Sequence, residues 1–283
     1  ILPAKMNFLK TAFKIQPLEN APSGYHLLIE AGWEGISFVY YSKDPLKVEG
    51  LYIYHFEKNS TALQIADELS LFFKEENLPE YVSCIICYNF KESTLLPSTL
   101  YNEALLPQML DLLYADNAGV NNYAEKMNAQ DAHVLYRVNH RIDSVIRNEF
   151  PAAQVHHSNF FQLPVLSKHN DSIYCIIFQT SMKVVLFKGG EVQMVQIFEY
   201  TTPTDAAYQL LNICNQYDLS PKEIPLTVSG FIDKKSNLFD ELYRYFLNID
   251  LDKPDIGVAI ATHISQYPVH FFSHLILLVK CVS

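Results

Sequence analysis

Apolar positions fall along the chain in short runs separated by turn residues, and the same order of runs occurs twice. In the first stretch Tyr25 to Ala31 is an apolar run, Gly32 to Gly35 a turn, and Ile36 to Tyr41 a second run. Lys43 to Pro45 make another turn, and Gly50 to Phe56 is a third run. Runs of this length bounded by turn residues predict a three-stranded antiparallel meander. A helix is expected next. Thr61 with Gln64 three residues on is a capping pair, and Ala62, Ile65, Ala66, Leu69, Phe72 and Phe73 share one face at the helical period. Asn77 to Pro79 stop it, and Val82 to Tyr88 return as a strand.

The second stretch repeats this. Ser172 to Phe178, Met182 to Phe187 and Glu191 to Phe198 predict three strands, with Lys188 to Gly190 as the second hairpin turn. Thr202, Pro203 and Asp205 form a helix start with a capping hydroxyl, a proline in the first turn and an acid at the third position. Ala206, Ala207, Leu210, Leu211, Cys214 and Tyr217 form its buried face, and Ile224 to Gly230 is the returning strand. A helix joining two strands of one sheet makes them parallel, whereas the hairpin strands are antiparallel, so each copy is expected to form a mixed sheet. The fold class expected is therefore α/β, in two similar domains spanning residues 1–166 and 167–283, with the join near Pro164 to Asn170.

Between the copies, Asn102 to Tyr114 predicts a kinked or late-starting helix because Pro107 lies inside it, and Ala132 to Val138 a strand. Asn139 caps a helix whose Ile142, Val145, Ile146 and Phe150 face inward, and Gln154 to His157 is a short strand. In the second half Ser236 to Leu247 predicts a helix and Asn248 to Leu251 a strand. The last apolar stretch, His270 to Val282, fits either a helix or a strand, and at that length it is too short to span a bilayer.

Composition and charge narrow the function classes. A chain of 283 residues that is 49% hydrophobic can fill two cores without disulfides or metal. The net charge of −10 comes without a basic run, so neither nucleic acid nor anionic lipid is an expected partner. Nothing at the N-terminus reads as an export signal, and five cysteines set among apolar residues fit a reducing, cytoplasmic compartment. Cys84 and Cys87 have the spacing of a redox or zinc pair but lie within an apolar strand, where burial is the commoner reason for cysteine. His156 and His157 are neighbours on a strand and point to opposite faces, which is unsuited to holding one ion. Trp33, the only tryptophan, sits on a turn, with two readings: packing across the sheet edge or anchoring a partner.

A duplicated order of three-strand meander, helix, strand, helix, strand resembles the ribonuclease-H-like fold doubled in the actin, Hsp70 and sugar-kinase superfamily. That superfamily includes the actin-like assembly proteins of bacterial secretion and pilus systems. More narrowly, the chain resembles an uncharacterised Bacteroidetes domain-of-unknown-function family with that fold. The resemblance implies ATP and magnesium as cofactors, held in a cleft between the lobes, with an Asp-x-Gly phosphate loop at the first hairpin turn of each domain. Carboxylates there hold magnesium through water, and glycine lets backbone N–H groups approach phosphate. In this chain the first turn reads Glu30-Ala31-Gly32, a degraded version, and the second reads Gln179-Thr180-Ser181, with neither acid nor glycine. The glycine pair of the adenosine motif falls at Ser229-Gly230 and keeps one glycine. Glu30, Gly32 and Gly230 are thus the candidate cofactor-binding residues, as a vestigial nucleotide site. The expectation is a non-catalytic scaffold that contacts another protein. The alternative is a nucleotide-binding switch or ATP-dependent phosphotransferase.

Overall fold

The structure is a computed structural model describing residues 9–18, 24–128, 130–166, 171–253 and 257–283. The chain divides into two compact units. Unit 1 takes residues up to Phe160 together with Val258–Ile264 and Val282–Ser283, and unit 2 takes Phe161–Gly257 with Ser265–Cys281.

Unit 1 opens with β1 (Leu9–Ile15) and the meander β2 (His26–Ala31), β3 (Gly35–Lys43) and β4 (Leu46–Phe56). Helix α1 (Ala62–Glu75) starts at the expected capping box, in which Thr61 and Gln64 satisfy each other's backbone N–H groups. It leads to β5 (Ser83–Tyr88), parallel to β2. The chain then makes an excursion through β6 (Ser93–Pro97), α2 (Leu106–Tyr114), β7 (Val120–Met127) and β8 (Ala132–Asn139). It returns by α3 (His140–Glu149) to β9 (Gln154–His157). The main sheet runs β1-β4-β3-β2-β5-β9, with the short strand Ala259–Ile260 added on β4. The excursion forms its own sheet, β6-β8-β7. Aromatic rings bind α1 to the meander, with Phe72 stacked on Phe38 at 5.8 Å and edge-on to Tyr54 at 4.8 Å. Phe73 meets Phe150, just past α3, at 5.4 Å. Each such ring removes a large apolar area from water, which is the dominant stabilising term here.

Helix α4 (Ser158–Leu166) crosses the boundary between the units. Unit 2 continues with β10 (Ser172–Ile177), β11 (Ser181–Lys188), β12 (Glu191–Glu199), α5 (Pro203–Gln216) and β13 (Leu226–Gly230). It closes with α6 (Asn237–Tyr243), β14 (Ile249–Leu251) and α7 (Ser273–Val282). The sheet order is β12-β11-β10-β13-β14, the order that β4-β3-β2-β5-β9 has in unit 1. Residues Ile173, Cys175 and Val184 on one sheet face pack with Leu210 and Cys214 of α5 and Leu242 of α6. The terminal stretch is therefore a helix, and the helix expected over residues 236–247 is shorter than its apolar pattern.

The duplication extends to individual hydrogen bonds. Gly32 N donates to Gly35 O at 3.0 Å, and Phe178 N to Ser181 O at 2.9 Å. Phe56 N reaches Glu34 O at 3.0 Å, and Tyr200 N reaches Thr180 O at 2.9 Å. Asn89 N reaches Ala31 O, and Phe231 N reaches Ile177 O, both at 2.8 Å. A second capping box, Thr202 with Asp205, opens α5 as Thr61 with Gln64 opens α1.

Candidate functional site at the strand ends

In a mixed sheet of this order, the carboxyl ends of the two central parallel strands are where loops converge and ligands are held. In unit 1 these are the ends of β2 and β5, in unit 2 those of β10 and β13. The matched hydrogen bonds fix the correspondence between the two turns. Ala31 corresponds to Ile177 and Gly32 to Phe178, so Glu30 corresponds to Ile176, one residue before the strand end. The counterpart of Glu30-Ala31-Gly32 is therefore Ile176-Ile177-Phe178, three residues ahead of Gln179-Thr180-Ser181, where the turn sequence itself suggests it.

Glu30 is buried on β2, in register with Ser37 of β3 and Cys87 of β5. The bare face of Gly32 is turned toward its own chain: a Cβ there would stand 2.8 Å from the carbonyl oxygen of Asn89. Gly35, at the other end of the turn, has the Tyr54 carbonyl 2.1 Å from where its Cβ would be. Both glycines are thus explained by close backbone approach. Trp33, between them, is half-buried and edge-on to Phe90 at 5.8 Å, so it packs across the strand end. Below the turn, Ser158 Oγ donates to Asn89 Oδ1 at 3.1 Å.

Gly230 ends β13 with φ +83, and a Cβ would lie 2.1 Å from Ile177 O. It corresponds to Tyr88 at the end of β5. The neighbouring Ser229 belongs to a buried polar layer on the sheet face opposite α5. Ser229 Oγ and Ser273 Oγ lie 2.6 Å apart, Ser229 Oγ is 3.4 Å from His274 Nδ1, and Lys183 Nζ donates to Gln162 Oε1 at 2.9 Å. Tyr174 on the same face donates to Asp252 Oδ2 at 2.6 Å. Lys183 on β11 corresponds to Ser37 on β3, so a buried lysine amine occupies in unit 2 a place that holds a hydroxyl in unit 1. Alternation alone gives no sign of it, because a lysine between apolar neighbours reads as solvent-facing.

Burial, reinforced by Lys183, pushes the His274 imidazole down to about 3. A histidine with a lowered folded value stays neutral while the unfolded chain takes up a proton below about 6.5, so stability falls as pH falls through that window. About 1.4 kcal/mol per pH unit is at stake, or roughly 2–3 kcal/mol between pH 6.5 and 4.5. Urea denaturation across that range is expected to show at least this slope, since burial also lowers His55, and His274→Gln to make it shallower. An unchanged slope in the variant would assign the loss elsewhere.

The remaining sequence candidates sit in packed or hydrogen-bonded surroundings. Cys84 and Cys87 are both buried on β5, three positions apart and so on opposite faces, and burial pushes the Cys84 thiol up to about 12. His156 Nδ1 lies 2.6 Å from Glu125 Oε2, while Glu125 Oε1 accepts from His157 N at 2.6 Å, which ties the small sheet to β9. No cluster of three metal-ligating side chains occurs among the described residues, and no described helix is long and apolar enough to cross a membrane.

Two matched halves, each a meander followed by helix, strand, helix and strand, define an actin-like ATPase fold, the doubled ribonuclease-H-like architecture. Solved structures similar to the chain include the following three. A Bacteroides thetaiotaomicron protein with actin-like ATPase fold and unknown function superposes with a TM-score of 0.72 at 17% identity, over 91% of this chain and 96% of that one. The PilM–PilN type IV pilus biogenesis complex gives 0.62 at 12% identity, over 91% and 98%. Ethanolamine utilization protein EutJ from Carboxydothermus hydrogenoformans gives 0.50 at 9%, over 94% and 92%. The chain itself belongs to the family described as protein of unknown function DUF3822, matched over residues 17–249. No curated protein matches it.

Proposed function

We propose that this chain is a non-catalytic actin-fold scaffold that acts in the cytoplasm by binding another protein. The observation that carries the reading is the state of the two hairpin turns. Magnesium nucleotide in this fold calls for a carboxylate and a glycine whose open backbone faces phosphate. In unit 2 the stretch Ile176 to Ser181 offers neither, and in unit 1 the space over Gly32 is taken by the Asn89 carbonyl. The residues present do not fit that cofactor. Glu30, Gly32 and Gly230 then persist for packing, which agrees with the close backbone contacts of both glycines. The pilus relative adds support of a different kind, since PilM is described in a complex with PilN.

Calorimetric titration of the full chain with ATP and magnesium tests this. The expected result is no heat of binding at millimolar nucleotide, with Glu30→Ala indistinguishable from the natural chain. Saturable binding that Glu30→Ala weakens would replace the scaffold with a nucleotide-gated switch.

A further inference from the structure

Helix α2 is apolar on two sides. Leu110 is fully buried beneath it, and the Tyr114 hydroxyl donates to Ser93 O at 2.6 Å. Leu105, Met109 and Leu112 follow at the i, i+4, i+7 spacing on the side away from Leu110. Leu105 is 47% exposed and Leu112 86%, with Leu113 on the shoulder at 57%. A helix with a second apolar side beyond its buried one normally has that side covered as well. This one sits on the excursion between β5 and α3, a part that has no counterpart in unit 2.

Charge identifies the cover. Between Lys91 and Lys126 the chain contains Glu92, Glu103, Asp111, Asp116 and Glu125 and no Lys, Arg or His. Glu92 and Asp111 are taken by Arg137, whereas Glu103 and Asp116, at the two ends of the stripe, are exposed. A second copy of this chain docked stripe to stripe would bring acids against acids, and an anionic lipid surface would be repelled in the same way. A basic amphipathic helix would gain at both ends while covering the leucines.

We propose that α2 is the docking face for an amphipathic helix of a partner protein, one with apolar residues at the i, i+3/i+4, i+7 spacing flanked by Lys or Arg. This rests on the scaffold reading above and names its binding surface.

The test is to pan a displayed library of random peptides, about four helical turns long, against the full-length protein, with Leu112→Glu as counter-target. The expected outcome is enrichment of basic amphipathic sequences that bind the natural chain about tenfold or more tighter than Leu112→Glu, a loss typical of one buried anchor residue. Leu105→Glu should behave alike, and binding should weaken with salt. Both leucines are solvent-facing, so far-UV circular dichroism should match the natural chain. Enrichment of acidic or patternless peptides, equal binding to the variants, or no enrichment overturns the proposal. So does a concentration-dependent dimer in sedimentation that Leu112→Glu abolishes. Silent ATP titration with a failed selection leaves the scaffold and removes this surface. ATP binding with a successful selection does the reverse.

Discussion

Gly230→Ala is expected to cost unit 2 about 3–5 kcal/mol, a large share of the roughly 5–15 kcal/mol that holds an ordinary domain folded. Two effects add. The φ of +83 lies in the left-handed region, where a side chain strains the backbone. The added Cβ would also meet Ile177 O at 2.1 Å, and that oxygen is fixed by the hydrogen bond from Phe231 N. No side-chain rotation relieves a clash with main chain, so the ends of β10 and β13 must part. Urea denaturation followed by far-UV circular dichroism measures the loss. A shift below about 1 kcal/mol would show that the strand end yields readily.

Asp143→Ala should be comparably severe in unit 1, at about 3–5 kcal/mol. The carboxylate is buried on α3 and accepts four hydrogen bonds: Tyr88 Oη at 2.7 Å, Tyr123 Oη at 2.6 Å, Asn121 Nδ2 at 2.6 Å and Arg147 Nε at 2.8 Å. Removing it strands donors from β5, β7 and α3 together. Burial would raise the Asp143 carboxyl, but the bonds from Tyr123, Tyr88, Asn121 and Arg147 outweigh it and hold the group below the usual carboxylate value. A lowered value means that the stabilisation is complete above the unfolded pKa of about 3.9 and is lost as pH falls through the folded one. Asp143→Asn, which keeps the shape, should therefore lose stability at pH 7 and little at the acid end. A variant as stable as the natural chain at pH 7 would mean that the charge contributes nothing.

The duplicated core was legible in the sequence because its strands are short and bounded by turn residues, and because its helices open on capping pairs. Thr61 with Gln64 and Thr202 with Asp205 marked the starts of α1 and α5 to the residue. Elsewhere periodicity fails for a physical reason. In β1 a register shift between Thr11 and Phe13 puts Ala12 and Phe13 side by side and breaks the alternation. Strand β7 is half-buried along nearly its whole length and includes Asn121, Asn122 and Glu125, so it carries no apolar stripe. Helix α4 contains Pro164, the residue that suggested a join between domains. At the candidate site the turn and its glycines were visible, but the contacts that account for them were not. The carbonyls of Asn89 and Ile177 come from strands far along the chain, and only the paired sheet shows that they fill the glycine faces.

The position of Trp33 has a practical consequence. It is the one indole in the protein, and it stands against Phe90 at the rim of unit 1. Its emission is therefore a built-in gauge for that half alone, while the tyrosine and far-ultraviolet signals come from both. A single denaturant titration read in both ways would show whether the halves melt together or in turn, with no label and no change to the chain.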